Sequence, residues 1–301
     1  MGSRSTWSRS KHLGKGSYGS VFLGLHKNGT MFAVKTAKLE NSNSLVKEKK
    51  ILKHIGNSPE IVRYYGDEIT IEKGIQYYNL FLEYASYGDL LKLINKVGGR
   101  IPKEGPVQVF TRMILDSLCC IHAKGIVHCD IKPENILVFS SDRYGCRCQL
   151  KIADFGLAKE ASEAALESKK YAFCGTPDYM PPESVALFYK YETSMDIWSL
   201  GCVVLVMFTG KSIWSGTDGK PLDREEIIQI LASTETMPEI PKEMSETGKD
   251  FLGKCLQRDP SKRWSAQKLL DHPYVSPFSL RNIEFLKEYP TAVGVKRSRS
   301  Y

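Results

Sequence analysis

The sequence predicts an α+β fold in two lobes: a small antiparallel β-sheet lobe with one main helix, then a larger, mostly helical lobe. In the first third, β-forming residues gather in short runs around glycine turns, with a single helical stretch among them. Beyond Gly88 the apolar residues recur at helical spacing. The two regimes meet in a tight connection near Glu83–Gly88, which implies a cleft between the lobes, a preferred place for ligand sites. Residues 1–9 then read as an N-terminal extension, 10–84 as the front lobe, 85–275 as the back lobe and 276–301 as a tail.

Taken in order, residues 10–25 read as strand, glycine turn, strand. His26-Lys27-Asn28-Gly29-Thr30 carries the Asn-Gly hairpin signal ahead of a strand at Met31–Ala37. Ser42 or Ser44 is placed to cap a helix running to about Ile55, with Leu45, Ile51, Leu52 and Ile55 on its apolar side. Further β stretches fall near 61–71 and 75–84. In the back lobe Pro106 opens a helix that Gly125 closes, the expected proline-first, glycine-last order. Ile136–Phe139 and Gln149–Ala153 read as a strand pair. The helix beginning at Asp196 is apolar on nearly all sides, which demands burial at the centre of the lobe. Amphipathic segments near 223–233 and 246–258 complete it, and the pattern weakens after Val275.

Composition narrows the function classes. With 42% apolar and 25% charged residues in 301, the chain has an ordinary globular make-up. Its longest uncharged apolar run, Ile197–Thr209, is 13 residues, short of the roughly 20 that a membrane span needs. No secretory pattern opens the chain, so eight cysteines argue for free thiols in a reducing compartment, the cytoplasm. Cys146 and Cys148 form a CxC without a partner pair at zinc spacing, and read as loop thiols. The net charge of +8 comes from scattered lysines that aromatics do not interleave, so no nucleic-acid partner is expected. Met1-Gly2 with Thr6 fits an acylation pattern, yet one acyl chain binds membranes only marginally, and membrane association is not expected. Lys296, Arg297 and Arg299 read first as a solvated basic tail and second as a nuclear address.

The chemistry concentrates in His128–Asn135, HCDIKPEN, and in Asp154-Phe155-Gly156. These put an acid, a lysine and an amide on one loop and a second acid on another. Phosphoryl transfer from a metal-bound nucleotide needs that set: a carboxylate for the acceptor hydroxyl, a cation at the transferred phosphate and oxygen ligands for magnesium. Gly14-Lys15-Gly16-Ser17-Tyr18-Gly19-Ser20-Val21 adds a GxGxxGxV. In a dinucleotide-binding fold the third glycine would open a helix; here Ser20–Leu25 continues as a strand, so the glycines read as a flap over phosphates.

Together these segments resemble the catalytic, metal-binding and glycine-rich loops of eukaryotic protein kinases, over about residues 10–275. The resemblance implies a bilobal protein-kinase-like fold that uses ATP and Mg2+. It implies Asp130 as catalytic base, Lys132 at the transferred phosphate, Asn135 and Asp154 as magnesium ligands, and Lys35 of Phe32-Ala33-Val34-Lys35 at the α- and β-phosphates. Glu48 is the best-placed partner for Lys35, ahead of Glu40. It further implies that Leu13, Gly14, Lys15, Gly16, Ser17, Tyr18 and Gly19 cover the nucleotide and that Val21, Ala33 and Leu137 hold the adenine. Leu82 would stand behind the ring, with Glu83 and Ala85 offering backbone groups. His128 and Phe155 would pack with Leu52, Asp196 would brace the catalytic loop, and Glu183 would pair with Arg263.

Lys132 and Gly175-Thr176-Pro177 mark the serine/threonine branch, and HCDIKPENILV with KIADFGLAK and GTPDYM looks most like plant mitogen-activated protein kinase kinase kinases of the MEKK-like group. That implies a protein substrate, a mitogen-activated protein kinase kinase; the alternatives are a serine/threonine kinase of another subfamily or a nucleotide-binding scaffold. The chain departs from the family at Cys129, which replaces an arginine that ordinarily pairs with a phosphate on the activation segment, and at Ala172, which occupies the usual phosphoacceptor position. Activity is therefore expected not to depend on phosphorylation there, though Ser162, Ser168 and Tyr171 also offer hydroxyls.

Overall fold

The computed structural model describes residues 6–16, 19–141, 148–161, 175–186, 190–216, 218–232 and 235–276. In the front lobe β1 (Trp7–Gly16), β2 (Gly19–His26), β3 (Met31–Lys38), β4 (Tyr64–Glu72) and β5 (Ile75–Leu82) form one antiparallel sheet in the order β1-β2-β3-β5-β4. One helix, α1 (Asn43–Ile55), packs against it. The first strand starts at Trp7, inside the segment read as an extension, because its aromatic ring has a place on the sheet. The predicted 61–71 strand starts later, at Tyr64, and the 75–84 strand ends at Leu82, where the connection to the back lobe begins.

Leu45, Glu48, Leu52 and Ile55 are spaced three, four and three apart, so they share the buried face of α1. A glutamate in that seam is costly unless paired, which makes Glu48 stand out. Ser42 occupies the N-cap position, but its hydroxyl donates back to Leu39 O at 2.8 Å and caps nothing in α1. Besides packing, α1 is tied to the sheet through Asp67 of β4. That carboxylate accepts from Lys49 Nζ at 2.7 Å, from Tyr78 Oη at 2.9 Å and from Tyr64 Oη.

Burial acts to raise the Asp67 pKa, and the bonds from Lys49, Tyr64 and Tyr78 override it, leaving it below the ordinary 3.8. A depressed carboxylate stabilises the fold above its unfolded pKa and ceases to as pH falls through the folded value. Asp67→Asn is therefore expected to cost about 1–2 kcal/mol at pH 7 and to flatten the decline of melting temperature on acidification below pH 4. Melting curves of the two proteins at pH 3 and pH 7 check this; parallel declines would contradict it.

The back lobe contains α2 (Leu90–Lys96), α3 (Glu104–His122), α4 (Thr193–Thr209), α5 (Arg224–Ala232), α6 (Glu246–Cys255) and α7 (Ala266–Leu270). Its strands are short: β6 (Ile126–Val127) pairs with β9 (Lys159–Glu160), and β7 (Ile136–Ser140) pairs with β8 (Cys148–Ile152). The α3 helix begins at Glu104, two residues before Pro106, which sits within the first turn where its missing N–H has no intrahelical acceptor to lose. The helix ends at His122, and Gly125 takes a positive φ of 67° in the turn beyond it. The segment foreseen to 258 ends at Cys255. α2 was not foreseen as a separate helix; Asp89 caps it by accepting from Lys92 N at 2.9 Å. As its composition demands, α4 is buried nearly throughout, with Trp198 fully enclosed.

The lobes are also joined through β8. Ile152 of β8 donates to Glu60 O at 3.3 Å and accepts from Val62 N at 3.1 Å, and Gln149 Nε2 donates to Pro59 O at 2.7 Å. Lys151 ion-pairs with Glu83 at 2.7 Å. No helix among the described residues is long and apolar enough to cross a membrane.

Candidate active site

Between the lobes lies a cleft of about 660 Å³. Leu13, Gly14, Lys15 and Gly16 of β1 form one side, and Val21, Ala33 and Leu137 bring apolar surface into it from β2, β3 and β7. Gly19 and Leu82 do not line it. Gly19 lies over β3, where a Cβ would fall 2.3 Å from Thr36 O, so the third glycine is required for the close approach of two strands. Leu82 is paired with Ala33 across β3 and β5 and is 4% exposed, a core residue behind the cleft. Ser17 and Tyr18 lie outside the described residues.

The connection at Glu83–Ala85 has a defined hydrogen-bonding budget. Glu83 N donates to Arg63 O at 2.9 Å, and Ala85 O accepts from Gly88 N at 3.1 Å. What this segment can offer a planar ring is thus the Glu83 carbonyl and the Ala85 N–H, an acceptor and a donor. Glu83 and Ala85 both line the cleft.

Opposite them, the predicted polar residues converge. Asp130 Oδ1 accepts from Thr176 Oγ1 at 2.9 Å, and Asp130 Oδ2 accepts from Asn135 Nδ2 at 2.8 Å and lies 3.0 Å from Lys132 Nζ. Lys132 Nζ also donates to Thr176 Oγ1 at 2.5 Å. The Asn135 amide spends its nitrogen on Asp130, on both the backbone and side-chain oxygens, so its carbonyl oxygen is the end available to a metal. Lys35 Nζ bonds both oxygens of Glu48, at 2.9 and 2.8 Å, and lies 3.0 Å from Asp154 Oδ1. Glu40 is instead near Lys38, at 3.8 Å.

These three groups shift one another. Burial works to discharge Lys35, and Glu48 and Asp154 override it, raising its pKa above the ordinary 10.5. Burial pushes Glu48 above its ordinary 4.5 in spite of Lys35. Burial also acts to raise Asp154, but Lys35 outweighs it and the carboxyl stays below 3.8. Asp154 therefore keeps its negative charge at the cleft, where a hard cation would need it.

The backbone around the site is unusual and braced. Cys129 and Asp154 both take φ of 66°, a left-handed conformation rare for such residues. Asp196, buried in α4, holds the first by accepting from His128 N at 2.9 Å and Cys129 N at 3.0 Å, and His122 Nε2 meets the same carboxylate at 2.9 Å. The second is held by His128, whose Nε2 meets Ala153 O at 3.0 Å and whose ring packs edge-on to Phe155 at 4.9 Å. Phe155 N donates to Glu48 at 3.3 Å, and Leu52, His128 and Phe155 are all buried. Further out, Arg263 grips Glu183 through two bonds of 2.6 and 2.7 Å. Asp89 and Leu157 line the cleft as well. The sequence motifs include neither; Asp89 lies just beyond the Glu83–Gly88 connection, and its place at the cleft is set by the fold.

A family model of the protein kinase domain matches residues 7–275. The chain belongs to the protein kinase family. Three proteins of Arabidopsis thaliana are similar to it. Mitogen-activated protein kinase kinase kinase 20 is 40% identical over 276 residues, covering 90% of this chain and 78% of that protein. Mitogen-activated protein kinase kinase kinase 17 is 39% identical, covering 90% and 69%, and mitogen-activated protein kinase kinase kinase 18 is 40% identical, covering 89% and 77%. The kinase is a serine/threonine protein kinase, and its family uses ATP. Its β1 start at Trp7 coincides with the start of the family match.

Proposed function

We propose that this kinase acts as a mitogen-activated protein kinase kinase kinase, moving the γ-phosphate of ATP to serine or threonine on a kinase kinase. The observation that carries the chemistry is the joining of Asp130, Lys132 and Thr176 into one hydrogen-bonded group at the cleft that Asp154 also lines. Asp130 orients the acceptor hydroxyl and takes its proton as the acceptor oxygen bonds to phosphorus and the ADP oxygen leaves. Lys132 offsets charge on the transferred group, and Lys35, held by Glu48, does so further along the triphosphate. The Asn135 carbonyl and the Asp154 carboxylate are the hard oxygen ligands that magnesium prefers, and a bound magnesium would supply positive charge against the phosphate oxygens. The names of the three plant relatives support the choice of substrate class.

The test is a panel of kinase kinases inactivated in their own active sites, incubated with the purified protein and Mg-ATP. Phosphate appearing on their serine or threonine residues supports the reading; transfer to general substrates but to none of the panel would sink the substrate class and leave the kinase.

The surroundings of Cys129 support a turnover that does not depend on phosphorylation of the activation segment. Its half-buried side chain packs against the cluster of Val127, Tyr191 and Met195, as Ala161 does, and Lys159 lies over the Tyr191 ring at 5.1 Å. This apolar group stands where an arginine would reach for a phosphate. Ser162, Ser168, Tyr171 and Ala172 themselves lie outside the described residues, as do Cys146, the acylation segment Met1–Gly2 and the basic tail. Phosphatase treatment is expected to leave turnover undiminished; a collapse traced by mass spectrometry to residues 162–174 would refute the idea. Six cysteines of the described residues are free thiols, which supports a cytoplasmic location, with the nucleus second; imaging of the tagged protein tests it.

A further inference from the structure

The outer face of the front-lobe sheet carries a cluster that the chemistry above does not use. β1 is an edge strand, bonded only to β2, and its far end forms the side of the cleft that covers phosphates. Its near end is fastened across the sheet to strands it does not pair with. The Trp7 ring sits edge-on to Phe81 at 5.1 Å and to Phe32 at 6.0 Å, and its Nε1 donates to Glu68 at 2.7 Å. The Arg9 guanidinium donates to Glu72 at 2.6 Å and to Asn79 at 2.5 Å, and lies 5.5–5.8 Å from the ring centres of Phe22, Trp7 and Tyr77. Asn79 is fully buried and bonds Thr36, Thr70 and the Glu68 carbonyl besides. In register with Arg9 is Gly24, where a Cβ would fall 2.5 Å from the Phe32 ring. Any side chain there would lift β2 off the cluster.

Between this anchor and the glycine turn the β1–β2 register slips twice, between Arg9 and His12 and between His12 and Gly14. Each slip is a bulge that bends the strand. His12, between the two slips, packs edge-on to Phe22 at 5.2 Å, and Lys11, Lys15 and Gly16 are exposed. The cover is thus tied at two places, at its tip through the pairing of Gly16 with Gly19 and at the near end through Trp7 and Arg9.

We infer that Trp7 and Arg9 are positioning residues, a latch on the outer face of the sheet that sets the glycine-rich cover of the cleft and so governs nucleotide affinity. The inference rests on the nucleotide reading of the cleft. Wild-type turnover with ATP tests that reading by itself, before any variant is made.

The experiment measures KM for ATP, kcat and melting temperature for Arg9→Ala, Arg9→Lys and Thr70→Val in the full chain. Arg9→Ala is expected to raise KM about tenfold, the equivalent of about 1.4 kcal/mol, while kcat at saturating ATP is retained. Arg9→Lys keeps a cation for Glu72 and recovers part of the affinity. Thr70→Val removes the hydroxyl that bonds Asn79 and Glu72 but leaves both acceptors of Arg9 in place, so it lowers the melting temperature and leaves KM alone. An unchanged KM in Arg9→Ala would overturn the inference. So would a KM that rises in Thr70→Val in step with lost stability, since the cluster would then serve only the fold.

Discussion

Asp130→Asn is expected to lower kcat by between about 10² and 10⁴, with the KM for ATP little changed. The substitution preserves shape and removes two things at once. It removes the charge that draws the proton from the acceptor hydroxyl. It also replaces one of two acceptor oxygens with a donor, although both oxygens are engaged by donors, from Thr176 on one side and from Asn135 and Lys132 on the other. On the Asn135 and Lys132 side the new NH2 would face only donors, so it points to Thr176, whose hydroxyl must turn from donating to accepting. Thr176 then loses its bond to a carboxylate, while Asn135 keeps an acceptor and the metal ligand stays in place. Steady-state kinetics at saturating ATP separates this from lost nucleotide binding. A variant that keeps a tenth of wild-type kcat would remove Asp130 from the role of base.

Lys35→Met is expected to cost about 3 kcal/mol of transition-state stabilisation, two orders of magnitude or more in turnover. It acts on stability too. Glu48 has a side chain only 1% exposed, and Lys35 supplies the cation that offsets its burial. Leaving a buried charge without its partner typically costs about 3–5 kcal/mol, unless the group takes up a proton instead. Glu48 is already displaced towards protonation by burial, so the neutral form will absorb part of that cost. The prediction is consequently twofold. Lys35→Met loses activity and some resistance to urea; adding Glu48→Gln restores much of the resistance and none of the activity. Equal urea midpoints for the single and double variants would contradict the buried-pair account, and wild-type turnover in Lys35→Met would end the assignment.

The position of Glu48 shows what residue order reveals and where it stops. Its helix was legible because Leu45, Leu52 and Ile55 repeat at helical spacing, and its pairing with Lys35 followed from the family resemblance. The short strands β6 and β9 were not legible, since two residues carry no periodicity; only the pairing of Ile126 with Glu160 and of Val127 with Lys159 makes them strands. Ser42 looked like a cap from its residue type alone, and the preceding turn claimed its hydroxyl first. Pro106 marked the helix start to within two residues, because proline is tolerated anywhere in the first turn rather than only at its opening.

What the sequence by itself determined is the inventory and the order: a glycine-rich turn between strands, a lysine on the next strand, an acid on a helix, and two loops bearing Asp130, Asn135 and Asp154. Chemistry-bearing residue types at set intervals are readable without coordinates because local backbone preference and side-chain chemistry are properties of short segments. Only the tertiary structure decided which of those groups share a proton, a hydrogen bond or a wall. The left-handed turns at Cys129 and Asp154 exist because Asp196 and His128, far away in the chain, hold them. Leu82 lies behind the cleft because strand register pairs it with Ala33, and Gly19 meets β3 where the glycine turn crosses it. The Trp7–Arg9 latch joins residues about 60 to 70 positions apart through the sheet's curvature, a relation that no local pattern encodes.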